Sequence, residues 1–144
     1  MIAVDTNILV FAHRRDSNWH SAAWERVRSL AEGNVTWAIA WPCVHEFISV
    51  ATNKKVYTPS STLEESLAQI DAWSKSPRLQ LLAENETYWT ELKTIALAGK
   101  ITGAQIHDAR IAAICLQHGV TELWTADRDF SRFPALKTRN PLIS

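Results

Sequence analysis

Ile2-Ala3-Val4-Asp5-Thr6-Asn7 decides the fold: an apolar run from Met1 stops abruptly at three polar residues. A run this short and this apolar reads as a strand buried on both faces, and its polar end marks where the chain leaves a sheet. The same pattern recurs downstream. Residues 35–40, 79–83 and 122–125 read as further buried strands, with 136–138 a weak fifth. Helical periodicity fills the gaps. One helical turn is expected over 8–12, then a helix from Asn18 whose Ala23, Val27, Leu30 and Ala31 share a stripe and which Gly33 is placed to end. A helix with Pro42 in its first turn runs to about Asn53, and Ser61-Thr62 with Glu64-Glu65 opens another, to about Lys75, with a capping box. Residues 85–98 form a helix closed by Gly99. In 101–116, Thr102 and Gln105 pair as a capping box with Ile101 and Ile106 as the staple. Strands alternating with amphipathic helices mean an α/β fold, a parallel sheet between two helical layers. Residues 1–144 read as one domain without repeat or linker.

Composition narrows the function. The 144 residues are 47% hydrophobic and 21% charged, a globular mixture that excludes a disordered or fibrous chain. Lys+Arg and Asp+Glu both number 15, so a simple polycationic nucleic-acid binder is also excluded. No apolar stretch is long enough for a bilayer and no leader is expected, so the reading is cytoplasmic with no membrane partner. Cys43 and Cys115 stand in apolar surroundings and read as reduced, buried thiols.

The acids carry the chemistry. In open α/β sheets ligands bind beyond the carboxyl ends of the strands, where Asp5 and Asp127 both fall. Either alone could be a helix cap. Asp108 lies among Ala104, Ile111, Ala112 and Cys115 on a helical wheel, with no arginine on that face. A carboxylate there needs a cation or several donors to be tolerated. Glu46 sits at the margin of an apolar arc formed by Cys43, Val44, Phe47, Ile48, Val50 and Ala51, and periodicity does not single it out. Together the four make an all-oxygen donor set without a Cys/His cluster, which favours Mg²⁺ or Mn²⁺ over zinc. Phosphoryl transfer is the matching chemistry.

These residues fall into four short motifs: Val4-Asp5-Thr6-Asn7-Ile8-Leu9, His45-Glu46-Phe47, His107-Asp108-Ala109-Arg110-Ile111-Ala112, and Thr125-Ala126-Asp127-Arg128-Asp129-Phe130. Their order and spacing resemble PIN-domain nucleases, and the length resembles the VapC-type ribonuclease toxins of bacterial toxin–antitoxin pairs. The resemblance implies a three-layer α/β/α fold and Mg²⁺- or Mn²⁺-dependent cleavage of RNA by activated water, leaving 5′-phosphate and 3′-hydroxyl ends. It implies that Asp5, Glu46, Asp108 and Asp127 gather round the metal, with Asn7 and Thr125 orienting them. Asp129 matches the family pattern too and is expected to cap the following turn or support the ligands. An antitoxin and a second copy of the chain are the implied protein partners. The stretch from Lys54 to about Gly99 carries no family motif, so substrate selection is expected to vary there.

Arg14-Arg15 follows the Asp5 turn and is a candidate contact for the RNA backbone, with Lys54-Lys55 a more distant one. Trp37, Trp41 and Trp124 are expected in the core, whereas Trp19 and Trp24 could line a groove or an interface. Three other readings compete. One is a PIN-type nuclease in RNA processing outside toxin–antitoxin systems. Another is a haloacid-dehalogenase-like phosphatase using Asp5 as nucleophile, although its general acid would fall at position 7, which is Asn. The third is a non-catalytic RNA-binding domain that has kept only the fold.

Overall fold

The five strands are β1 (Ile2–Val4), β2 (Trp37–Ala40), β3 (Leu79–Leu82), β4 (Glu122–Trp124) and β5 (Thr138–Arg139). They form one parallel sheet in the order β3-β2-β1-β4-β5, in a computed structural model that describes residues 1–143. The helices are α1 (Thr6–His13), α2 (His20–Ala31), α3 (Trp41–Ala51), α4 (Leu63–Ser74), α5 (Tyr88–Gly99) and α6 (Gln105–Gln117). From β1 to β3 the chain steps one way across the sheet, and from β3 to β5 the other. Right-handed crossovers therefore lay α1–α4 on one face and α5 and α6 on the other. Packing agrees, since α1 lies against α2 and α3 while α5 lies against α6. The α/β/α expectation holds.

The apolar periodicity predicts the core. β2 is buried along its whole length, and α6 buries Ala109 and the run from Ile111 to Cys115. Small residues on α6 let it approach the sheet closely. Thr62 caps α4 through the expected box, its hydroxyl accepting from Glu65 N while Glu65 Oε1 accepts from Thr62 N. No described helix is long and apolar enough to cross a membrane.

Several local expectations need correction. The first helix has two turns rather than one, because Asp5 caps it and brings Thr6 and Asn7 into it. Gly33 does follow directly on the end of α2 as expected, but Glu32 ends the helix in right-handed conformation, and a Cβ at 33 would lie 2.6 Å from the Ser29 carbonyl oxygen. Gly99 is the last residue of α5 as expected; the left-handed residue is the next one, Lys100 (φ 50°), while Gly99 admits the Arg132 carbonyl, 3.0 Å from where its Cβ would be. α6 begins at Gln105 with half a capping box, since Gln105 Oε1 accepts from Thr102 N but the Thr102 hydroxyl does not reciprocate. Trp37 and Trp124 are buried as expected; Trp41 instead opens α3 on the surface, tilted over His45.

Candidate active site

β1 and β4 are adjacent and parallel, Val4 opposite Trp124, at the point where the strand order reverses. This juxtaposition brings the two strand-end acids to one rim. Asp5 is only 4% exposed and is held on every side. Its Oδ1 accepts from Thr6 N (2.8 Å) and the Cys43 thiol (3.6 Å); its Oδ2 accepts from the Thr125 hydroxyl (2.7 Å) and Asn7 Nδ2 (3.2 Å). Asn7 Oδ1 also accepts from Ala126 N, and Thr125 Oγ1 accepts from Asp127 N. Asn7 and Thr125 thus stitch the end of β1 to the end of β4.

The other acids come from three elements. Glu46 projects from α3, exposed at the rim of the apolar arc as its position on the helix suggested. Asp108 lies in the first turn of α6, half-buried. Asp127 follows β4 and caps a 3₁₀ turn (Arg128–Arg132), its Oδ1 accepting from Asp129 N at 2.8 Å. The cap of that turn is therefore Asp127, where the sequence left a capping role open to both Asp127 and Asp129. Asp129 is exposed, and one carboxylate oxygen from each of Asp108, Asp127 and Asp129 lies within 4.8 Å of the others. Asp5, Glu46, Asp108 and Asp127 line one cleft of about 180 Å³, together with Thr6, Val10, Phe11 and Tyr57.

Burial and mutual repulsion dominate the electrostatics. Desolvation pushes the Asp5 carboxyl up to about 6, although Thr125 and Thr6 N hold it down and Glu46 adds to the rise. Asp108 is also raised to about 6, first by burial and then by the charges of Asp127, Asp5 and Asp129. Glu46 is raised by burial and by Asp108. Among the described residues no arginine or lysine pairs with these acids. The Thr6 hydroxyl is buried without a hydrogen-bond partner, beside Glu46 and Cys43. An all-oxygen cluster of acids that repel one another, with no cationic side chain paired to them among the described residues, fits a divalent cation.

Two residues turn out differently from the sequence reading. Arg14 does not reach outward: its guanidinium pairs with Asp16 (2.7 Å) and donates to Ser61 Oγ and the Pro59 carbonyl, leaving only Arg15 of the pair exposed. Cys43 is buried, but its thiol faces the Asp5 carboxylate rather than apolar side chains alone. Its place one turn before Glu46 on the same helix face was the available signal. Tyr57 in the cleft had no such signal. The phosphatase alternative fails at position 7, where the Asn7 amide is bonded to Asp5 and Thr125.

Comparison with known proteins agrees with this geometry. Residues 2–136 match the family model described as PIN domain. Ribonuclease VapC43 of Mycobacterium tuberculosis is 32% identical over 142 residues, covering 99% of this chain and 96% of its own. Among solved structures, VapBC-1 from nontypeable Haemophilus influenzae superposes with a TM-score of 0.69 at 23% identity, covering 98% of each chain. A toxin–antitoxin complex from Klebsiella pneumoniae superposes at 0.65 and 21%, again covering 98% of each. With nearly its whole length matched, its four acid motifs in order and its acids on one sheet edge, the chain belongs to the PIN domain family, among the VapC ribonucleases.

Proposed function

We propose that the chain is an endoribonuclease dependent on Mg²⁺ or Mn²⁺ and the toxin of a toxin–antitoxin pair. The observation that carries this reading is the convergence of Asp5, Glu46, Asp108 and Asp127 on one cleft at the switch point of the sheet. These four are the metal-holding and catalytic residues of the proposal, with Asp129 at the exposed end of the cluster. When bound, the cation supplies charge neutralisation and activates water for in-line attack on a phosphodiester. Everything else falls to the chain itself. Thr6 N, Cys43, Asn7 and Thr125 fix both oxygens of Asp5, so its direction is set before any ligand arrives. Thr125 also holds the backbone leading to Asp127, which couples the two acids through one hydroxyl. Asp108 shares its space with the carboxylates of Asp127, Asp5 and Asp129, which together with burial raise its pKa to about 6, and a cation beside it would favour the ionised form.

RNA as substrate rests on the relatives' being named ribonucleases. A cognate antitoxin is the protein partner that this class implies, a second copy of the chain is carried as a further one, and cytoplasmic action follows from the same reading. The decisive experiment is cleavage of RNA by the purified protein. Mn²⁺ or Mg²⁺ supports cleavage, EDTA stops it, and Asp5→Asn and Asp108→Asn each abolish it. Cleavage that persists in both variants sinks the assignment.

A further inference from the structure

The cleft has two kinds of lining. Besides the carboxylates it is lined by the apolar and aromatic Val10, Phe11, Val50 and Tyr57, to which metal chemistry gives no role. Tyr57 lies in the connection between α3 and α4 and keeps part of its ring accessible. Its surroundings are built rather than loose. The Arg14 guanidinium lies 4.4 Å from the ring centroid, and the Arg14 side chain is only 12% exposed. Arg14 is itself fixed by Asp16 (2.7 and 3.0 Å), by Ser61 Oγ (3.1 Å) and by the Pro59 carbonyl (2.8 Å). Ser61 in turn meets His13 Nε2 at 2.9 Å. The end of α1 is thereby bolted to the connection that carries Tyr57. A buried cation against one ring face orders the side chain in advance and lowers the cost of recruiting the ring for a ligand.

The same connection brings charge. Lys54 and Lys55 are exposed three and two residues before Tyr57, and neither forms an ion pair among the described residues. An ordered aromatic ring lining the same cleft as a cluster of metal-binding type, with free lysines next to it in the chain, is the arrangement that single-stranded nucleic acid uses: bases stack while cations meet phosphates. We propose that Tyr57 stacks on a nucleobase of single-stranded RNA next to the scissile phosphate, with Arg14 as the residue that positions it. The proposal rests on the nuclease reading and adds the element that selects substrate. It also gives Arg14 a role different from direct phosphate contact.

The test measures binding of a single-stranded RNA oligonucleotide by fluorescence anisotropy with Mg²⁺, in an Asp108→Asn background that does not cleave. Adding Tyr57→Ala weakens binding by roughly 5- to 100-fold, the range for loss of one stacked base, while Tyr57→Phe stays within about twofold of the parent. In the protein with all its acids intact, Tyr57→Ala leaves calorimetric Mn²⁺ affinity unchanged and redistributes cleavage sites along a long RNA. RNA bound as tightly by Tyr57→Ala as by the parent overturns the proposal alone. So does a parallel loss of Mn²⁺ affinity, which would make Tyr57 a support for the acids. A protein with all its acids intact that neither binds nor cleaves RNA overturns the nuclease reading and this one with it.

Discussion

Asp5 and Asp108 face the same cleft and are pushed to the same pKa, yet they are held in opposite ways. Asp5 is buried and receives four donors; Asp108 is half-exposed, and its strongest neighbours are three other carboxylates. One acid is over-determined by the fold and the other is left under tension. The difference teaches where the site stores its strain. The β1–β4 rim is a finished hydrogen-bonded frame, whereas on the Asp108–Asp127–Asp129 side carboxylates crowd together without a paired cationic side chain among the described residues, and in the proposed function a cation would complete it.

The largest effect should separate activity from stability. Asp108→Asn lowers RNA cleavage by more than roughly a hundredfold, as loss of a key electrostatic group does. In the same variant, the melting temperature of the metal-free protein at pH 7.5 rises, because a repelling charge is removed and no donor is orphaned. Asp5→Asn is as inactive but gains less, since its new amide must face the Asn7 amide donor. Equal melting shifts in calorimetry would break the contrast between the two acids.

Next in size is the frame. Thr125→Val removes the donor to Asp5 Oδ2 and the acceptor for Asp127 N together. Cleavage should fall about tenfold and stability by about 1–3 kcal/mol, read from initial rates and urea unfolding. Unchanged kinetics would mean that the frame does not orient the acids.

The third effect is pH dependence without metal. Asp5 and Asp108 have folded pKa values of about 6, above those of the unfolded chain, so the folded state holds their protons longer. Their contribution is fully present below about pH 4 and is lost as pH rises through about 6. Between pH 5 and 7.5 in EDTA, Asp5 alone removes about 1 kcal/mol, and the melting temperature drops. Mn²⁺ should restore more stability at pH 7.5 than at pH 5; equal restoration would contradict the shifts.

The smallest effect belongs to Asp129. Exposed and at the edge of the cluster, it should cost only a few-fold in cleavage and in calorimetric Mn²⁺ affinity when changed to Asn. A loss as large as that of Asp108→Asn would move Asp129 to the centre of the site.

Much of this was legible in one dimension because periodicity and chain order carry it. Short apolar runs fixed the first four strands, and the polar stop at Asp5 and the Thr125–Asp127 segment marked the rim they share. Thr62 and Glu65 announced α4 because a capping box is local chemistry. Where local chemistry met tertiary packing, packing prevailed: Gly99 not only closes α5 but admits the distant Arg132 carbonyl, and Trp41 opens its helix at the surface.

By itself, then, the sequence determined the strand–helix alternation and the family, since both are written in residue type and spacing; Asp5, Asp108 and Asp127 stood out by position, and Glu46 only through the resemblance. The tertiary structure alone decided that Arg14 turns inward, that the Cys43 thiol meets Asp5, that Asp127 rather than Asp129 caps its turn, and that Tyr57 lines the cleft of the acids. Most of these are contacts between residues distant in the chain, whose partners are chosen by crossover handedness and sheet order. Even the local choice between two neighbouring aspartates depends on where the end of β4 is held.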